Sequence, residues 1–196
     1  MLTIRPAALA EKQTTYEWLC CSDTTSLHLG PPDYPDHPVP TREEFERDFE
    51  DFYFLPTGRR QGSVMLIERA GEPIGCLCYA CFHLQAGAAE LDIWLKERRL
   101  CGCGYGTEAL RLLVGYLRRE LDISRFLIRP AARNARAVRA YAKAGFVDRE
   151  EKLPVLRSFL REEYWDAFGS GDYGLEDTAV MTLEGGPPRR AQPMIG

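Results

Sequence analysis

A glycine-rich loop in the middle of the chain has the residue types and the spacing that suit a phosphate ligand. Gly102, Gly104 and Gly106 alternate with other residues and are followed by Thr107, between a predicted strand over Ala88–Lys96 and a predicted helix. Glycines let the backbone approach an anion closely, and the first amides of a helix have no carbonyl partner within it. The loop therefore predicts a phosphate-binding site. The alternative is a glycine-rich turn required only for close packing.

Two familiar nucleotide-binding loops fit this segment poorly. The glycines do not have the G-x-G-x-x-G spacing of dinucleotide-binding folds, and no acidic residue ends a following strand. The Gly-Lys-Ser/Thr sequence of a P-loop is also missing. The ligand expected here carries phosphate but is held in another way.

A second patterned segment follows the next predicted strand. Asn134, Ala137 and Tyr141 lie at fixed intervals along a predicted helix, and Gly145-Phe146 ends it. Together the two segments resemble the GCN5-related N-acetyltransferase (GNAT) superfamily, in which an acetyl-CoA loop precedes an Asn…Ala…Tyr…Gly-Phe helix. The strand order around them extends this resemblance to nearly the whole chain. The local match looks most like the aminoglycoside 6′-N-acetyltransferase and ribosomal-protein Nα-acetyltransferase branches.

The resemblance implies which residues hold acetyl-CoA. Backbone at the end of the predicted strand would pair with the pantetheine arm, Asn134 would contact the CoA arm, and Tyr141 would stand near the sulfur. The strand residues are Trp94, Leu95 and Lys96. Loop amides would hold the pyrophosphate, from Gly102, Cys103, Gly104, Tyr105, Gly106 and Thr107. Cys101 and Cys103 depart from the family, which usually has Arg or Gln at the first position and often Lys at the second.

Acetyl transfer to an amine requires a base, because a free alkylamine has a pKa of about 10 and attacks only when neutral. Asp92 is the first candidate: it alternates away from the apolar face of its strand, and aminoglycoside 6′-N-acetyltransferases carry a similarly placed Asp. Glu90 on the same face is the second. Tyr141 is the candidate acid for the leaving thiolate. The alternatives are solvated strand carboxylates and, for Tyr141, a core aromatic residue.

Charge is distributed unevenly along the chain. Residues 1–97 hold 8 Lys and Arg against 16 Asp and Glu, whereas residues 98–143 hold 11 against 3. The basic middle segment suits the phosphates of CoA. Nucleic acid could use the same charges, but the net charge of −4 and the pI of about 5.5 argue against it as the main partner.

The remaining periodicity predicts an α/β (or α+β) domain with a single mixed, mostly antiparallel central sheet flanked by helices, as in GNAT proteins. We expect the domain to span residues 1–184 and the tail over residues 185–196 to be disordered. Strands are predicted over Leu2–Arg5, Ser63–Ala70, Pro73–Gln85, Ala88–Lys96, Arg125–Arg129, Phe146–Lys152 and Thr178–Leu183. Helices are predicted over Ala8–Cys21, from Thr41 through Phe52, from the glycine loop to Leu121, and over Asn134–Ala144 and Pro154–Phe168.

Acidic residues around the stripe of Phe45, Phe49 and Phe52 allow two interpretations. The acids either form a solvated helix face or line a cleft for a polycationic substrate. In the second case Asp33, Tyr34 and Asp36 in the preceding proline-rich loop would join them. The seven cysteines have no zinc-site spacing, so no metal is expected, and with no export signal they are expected to be reduced thiols of a cytoplasmic protein.

The sequence thus predicts an acetyl-CoA-dependent N-acetyltransferase that modifies a primary amine by direct attack. A small cationic acceptor such as an aminoglycoside or a polyamine is expected, with neither nucleic acid nor membrane as partner, and a homodimer is left open. The alternatives are a protein N-terminal acetyltransferase of the ribosomal-protein type, a non-catalytic acyl-CoA-binding protein, and a nucleotide- or RNA-binding module.

Overall fold

A computed structural model describes residues 1–29 and 39–185. Asp33, Tyr34 and Asp36, together with residues 186–196 of the expected tail, lie outside the described residues. The strands are β1 (Leu2–Pro6), β2 (Gly62–Arg69), β3 (Glu72–Ala80), β4 (Ala88–Leu95), β5 (Arg125–Ile128), β6 (Val147–Asp148) and β7 (Met181–Glu184). The helices are α1 (Lys12–Cys20), α2 (Thr25–His28), α3 (Arg42–Asp48), α4 (Tyr105–Glu120), α5 (Ala135–Ala144), α6 (Lys152–Phe159), α7 (Trp165–Phe168) and α8 (Gly174–Asp177).

The strands form one mixed sheet in the order β1-β2-β3-β4-β5-β7-β6. Every neighbouring pair is antiparallel except β4 and β5, which are parallel. A parallel pair needs a crossover connection, and α4 supplies it. The predicted fold class is confirmed.

The alternation of β4 places its apolar residues under the helices and its polar residues on the other side. Leu91, Ile93 and Leu95 pack in a core cluster with residues of α4 such as Leu110 and Leu113. The opposite face carries Glu90, Asp92 and Trp94, and Trp94 packs in a separate cluster with residues of β2 and β3. Because successive side chains of a strand point to opposite faces, the sequence pattern alone predicted this division.

β4 and β5 are paired along only half of β4. The parallel register joins Ala88–Leu91 to Arg125–Ile128, and β4 then continues to Leu95 paired with β3 only. Beyond Leu91 the two strands diverge, so one edge of β4 is open in the middle of the sheet. This opening positions the site described below.

Several predicted boundaries are wrong because tertiary contacts override local propensity. The strand predicted to reach Gln85 ends at Ala80, and the helix predicted over Pro154–Phe168 breaks after Phe159. At the break, the amide of Gln85 donates to the carbonyl of Phe159 and Leu84 forms an isolated bridge with Leu160. The strand predicted over Phe146–Lys152 is reduced to β6, and the one predicted to begin at Thr178 begins at Met181.

α3 has the predicted capping box, since the Thr41 hydroxyl accepts from the Glu44 amide and the Glu44 carboxylate accepts from the Thr41 amide. The helix ends at Asp48, however, so Phe52 lies in a following 3₁₀ turn. The acids Glu43 and Glu46 are exposed and do not line the main cleft. The solvated-face interpretation of this segment is the one that the described residues support.

No helix among the described residues combines the length and the apolar character needed to cross a bilayer.

Candidate active site

A cleft of about 610 Å³ opens where β4 and β5 diverge. Its walls come from the polar face of β4, the glycine loop, α5 and the segment that follows α7. It therefore joins, in one cavity, most of the residues that the sequence patterns singled out separately, whereas Lys96, Cys103 and Tyr105 do not line it. Glu90, Asp92, Gly102, Gly104, Asn134 and Tyr141 all line it.

The open edge of β4 presents the backbone of Ile93 and Leu95. The amide of Ile93 donates to Asp92 Oδ1 at 2.7 Å, and the carbonyl of Leu95 accepts from the Thr24 hydroxyl at 2.7 Å. The amide of Lys96 instead donates to the carbonyl of Ile74 in β3. Since N–H and C=O of one residue in a strand point to the same side, residues 94 and 96 face β3. Ile93 and Leu95 therefore face the open edge, although the Ile93 amide and the Leu95 carbonyl already have partners within the chain. The pantetheine contacts expected of Trp94, Leu95 and Lys96 stay a prediction.

The glycine loop forms a cradle whose backbone conformation favours glycine at two positions. Gly102 and Gly104 have φ of +83° and +86°, and a Cβ added at either position would meet no other atom within 4 Å. Gly104 is the N-cap of α4, and no side chain caps the helix. The first-turn amides, including those of Tyr105 and Gly106, are therefore available to an anion. These features fit the pyrophosphate of acetyl-CoA.

Two of the residues expected to touch CoA also have structural roles. The Thr107 hydroxyl donates to the Ala140 carbonyl at 3.1 Å and so ties α4 to α5, which leaves its amide for a ligand. Asn134 caps α5, since its Oδ1 accepts from the Ala137 amide, and its Nδ2 donates to the Leu27 carbonyl. Its contact with the CoA arm stays a prediction.

Cationic side chains of α5 line the cleft together with the glycine loop. Arg136, Arg139 and Lys143 all line the cavity. They supply positive charge near the cradle, where Cys101 and Cys103 do not. Cys103 is exposed, and Cys101 is half-buried. Part of the basic segment noted in the sequence thus lies on the side of the cleft expected to hold CoA.

Asp92 is open to the cleft although protein surrounds it. The surrounding protein removes water from the carboxylate and raises the pKa of Asp92 to about 6, and the charge of Asp172 adds to this shift. Asp172 lies in the same cavity, and burial together with the charge of Glu90 raises its pKa as well. The sequence analysis missed Asp172, because nothing in its local sequence links it to β4.

Glu90 is engaged by two basic side chains. Arg129 contacts both carboxylate oxygens, with Nη2–Oε2 at 2.9 Å, and His83 Nε2 lies 2.7 Å from Oε2. Burial opposes ionisation of Glu90, but the charge of Arg129 and the hydrogen bonds hold its pKa well below the usual value. The sequence analysis identified neither partner, because Arg129 and His83 are brought to Glu90 by the fold and not by local spacing.

Tyr141 projects from α5 into the cleft and is 7% exposed. Burial, followed by the charges of Asp92 and Tyr173, raises the pKa of its hydroxyl well above 10. The hydroxyl therefore carries its proton at neutral pH. Its electrostatic coupling to Asp92 shows that the candidate acid and the candidate base share one region of the cleft.

Comparison with known proteins decides the family. Residues 1–147 match the family described as Acetyltransferase (GNAT) domain. The chain belongs to the GNAT acetyltransferase family. As a GNAT protein it is an acetyl-CoA-dependent N-acetyltransferase, and the resemblance inferred from its two motifs is confirmed.

Relatives of this GNAT protein include enzymes with aminoglycoside acceptors. An aminoglycoside N(6′)-acetyltransferase type 1 of Klebsiella pneumoniae is 27% identical over 160 residues, covering 74% of this chain and 73% of the relative. An aminoglycoside acetyltransferase solved with coenzyme A and kanamycin has a TM-score of 0.67 at 20% identity, over 94% of this chain and 95% of that one. A spermidine N-acetyltransferase from Vibrio cholerae, solved with CoA and spermine, has a TM-score of 0.64 at 17% identity, over 93% and 95% of the chains. These solved structures share the fold.

The described residues of this GNAT protein contain no group of three or more His, Cys, Asp or Glu side chains placed to bind a metal ion. Acetyl-CoA is its co-substrate, as expected.

Proposed function

We propose that this enzyme acetylates a primary amine of a small polycationic acceptor such as an aminoglycoside or a polyamine. The observation that carries the proposal is the pair of carboxylates, Asp92 and Asp172, beside Tyr141 in the cavity that also contains the glycine cradle. Relatives that act on aminoglycosides and spermidine support this acceptor class.

Electrostatics favour a cationic ligand between these acids. Within the described residues neither Asp92 nor Asp172 forms an ion pair, and the charge of Asp172 raises the pKa of Asp92. Two carboxylates that share one cleft repel each other, and an ammonium group relieves the repulsion. The aromatic side chains of Tyr53, Phe168 and Tyr173 complete the walls around them.

Asp92 is the proposed general base and Tyr141 the proposed general acid. Acetyl-CoA supplies the acetyl thioester. Asp92 accepts the proton that the amine must lose, and the Tyr141 hydroxyl donates a proton to the departing sulfur. Because the negative charge of Asp92 helps to raise the pKa of Tyr141, protonation of Asp92 lowers that pKa again. Protonation of Asp92 by the amine therefore makes it easier for Tyr141 to release its proton to the departing sulfur.

The first test is a calorimetric titration of acetyl-CoA, followed by assays of CoA release with kanamycin, spermidine and a peptide with a free N-terminus. We expect micromolar binding and rapid CoA release with the small amines. Release with the peptide alone would replace the proposed acceptor by a protein N-terminus. Binding without release on any amine would overturn the proposed function.

A further inference from the structure

Two uncharged ring nitrogens in the cleft have no role in the reaction proposed above. They are Nε1 of Trp94 and Nε2 of His28, on residues that line the cavity. Both atoms are buried, and neither has a hydrogen-bond partner within residues 1–29 and 39–185. Trp94 is 2% exposed, and the two rings meet edge to face with centroids 6.5 Å apart. Both residues thus border the same part of the cavity, where one ligand can approach the two rings.

The segment that carries His28 is held in place from three directions. The Thr24 hydroxyl donates to Leu95 on β4, Asn134 donates to the Leu27 carbonyl, and the Tyr173 hydroxyl donates to the His28 carbonyl. These bonds connect α2 to β4, to α5 and to the segment after α7. The position of His28 relative to Trp94 is thus built into the fold.

The chemistry of the two nitrogens selects the ligand group that can satisfy them. An indole N–H only donates, so it needs an oxygen or another acceptor. An ammonium group cannot accept a hydrogen bond and leaves this donor unpaired. Burial and the charge of Arg136 lower the pKa of His28 to about 4, so the neutral imidazole can donate or accept. A hydroxyl accepts from the indole and donates to the imidazole, which satisfies both.

We infer that Trp94 and His28 form a hydroxyl subsite beside the carboxylates, and that the acceptor is an amino sugar or an amino alcohol in preference to an unsubstituted polyamine. The inference rests on the proposed function and narrows it. The carboxylates Asp92 and Asp172 attract ammonium groups, whereas the rings of Trp94 and His28 form hydrogen bonds with a neutral polar group nearby. Discrimination of this kind arises because the analogue without the hydroxyl leaves a buried donor unpaired.

The test compares acceptors that differ only in hydroxyl groups. The first pair is kanamycin B and its 3′,4′-dideoxy analogue, and the second is 1,3-diaminopropan-2-ol and 1,3-diaminopropane. We expect kcat/KM to favour the hydroxylated member of at least one pair on the order of tenfold, the effect of leaving one buried donor unpaired. Equal kcat/KM values within both pairs would overturn the inference while leaving acetylation of cationic amines intact.

Trp94→Phe removes the N–H group and retains an aromatic ring. In each acceptor pair for which the wild type prefers the hydroxylated member, this variant should abolish the preference by lowering kcat/KM for the hydroxylated acceptor alone. Trp165→Phe is the matched control, since Trp165 packs against the cluster around α6 and not in the cleft. The control should keep the wild-type preference. His28→Leu is a second variant with the same expected result, and circular dichroism checks that each variant is folded.

Two further outcomes have distinct meanings. Loss of activity by Trp94→Phe toward every acceptor, in proportion, would overturn the inference and assign the indole to the acetyl donor or to packing. Binding of acetyl-CoA without acetylation of any of the four amines would overturn the proposed function together with the inference.

Discussion

Glu90 and Arg129 form a two-point ion pair that joins β4 to the end of β5, at the base of the cleft. The Glu90 and Arg129 side chains are 18% and 7% exposed. Arg129 also donates to the Phe168 carbonyl at 2.6 Å, so the pair anchors the end of α7 as well. His83 is the second side-chain partner of Glu90, so both carboxylate oxygens of Glu90 are engaged by side chains of the fold. We therefore propose a positioning role for Glu90, and its role as the second candidate base stays a prediction.

Glu90→Gln should destabilise the protein by about 3 kcal/mol at pH 7, because it leaves the buried guanidinium of Arg129 without its counter-charge. The pKa of Glu90 is lowered by folding to about 2, so its stabilising effect is present above the unfolded pKa of about 4.3 and is lost progressively as the pH falls from there to the folded pKa. Urea unfolding at pH 7 and pH 3 measures this. The difference from wild type should shrink at the lower pH.

Glu97→Gln is a matched control for that measurement. Glu97 pairs with Arg99 on the surface, and the pair is screened by solvent, so the urea midpoint should not change. A Glu90→Gln variant as stable as wild type at pH 7 would contradict the structural role.

Asp92→Asn should lower kcat/KM by about 10² to 10⁴, the usual range for a general base. An Asn side chain keeps an oxygen that can accept from the Ile93 amide, so the local backbone should be retained. For the wild type, kcat/KM should fall as the pH drops below about 6, the pKa of Asp92. The variant should lack this inflection. An unchanged pH profile would exclude Asp92 as the base.

The same substitution should increase stability at neutral pH. Folding raises the pKa of Asp92 from its ordinary 3.8 to about 6, so the folded state binds the proton more tightly and loses stability as the pH rises through this interval. Thermal melts should show Asp92→Asn above wild type at pH 7.5 and level with it at pH 4. Together with lower activity, this pattern is expected of a group held in place for function.

Tyr141→Phe should reduce kcat by about 10², the lower end of the range for a general acid, with acetyl-CoA affinity nearly unchanged. The phenyl ring fills the same buried space on α5, so packing is preserved. Steady-state kinetics with titration of acetyl-CoA separate the two effects. Full activity across the pH range would show that another group, such as water, protonates the thiolate.

The local patterns of the chain predicted the elements that face each other across the cleft. Strict alternation in β4 predicted that Glu90 and Asp92 share a face opposite Leu91 and Ile93, and the helix with Tyr141 ends at Gly145 as predicted. Such patterns work because a strand or a helix fixes its own side-chain directions. They apply within one element only.

The sequence patterns could not predict which side chains contact Glu90 and Asp92. Arg129 lies 39 residues from Glu90, and Asp172 comes from a loop after α7. No periodicity relates these positions, because the contacts depend on where distant loops return to the sheet. The same reason explains the missed break after Phe159, where hydrogen bonds with residues 83–85 replace the next helical turn.

Gly104→Ala should weaken acetyl-CoA binding on the order of tenfold, as expected for loss of one favourable amide contact. Gly104 has φ of +86°, a conformation that costs alanine about 1–2 kcal/mol, so the loop either strains or changes its path. Either change moves the amides at the start of α4. Calorimetric titration of acetyl-CoA gives the affinity, and a thermal melt gives the cost in stability.

Gly71→Ala separates the strain from the binding effect. Gly71 lies in the turn between β2 and β3, has φ of +82°, and an added Cβ there also meets no atom within 4 Å. The two variants should therefore lose similar amounts of stability, because they impose the same backbone strain in open surroundings. Only Gly104→Ala should lose affinity, since Gly71 does not line the cleft. Equal acetyl-CoA affinities for the two variants would show that the loop before α4 does not hold the pyrophosphate, and the cradle would have to be sought among the cationic residues of α5.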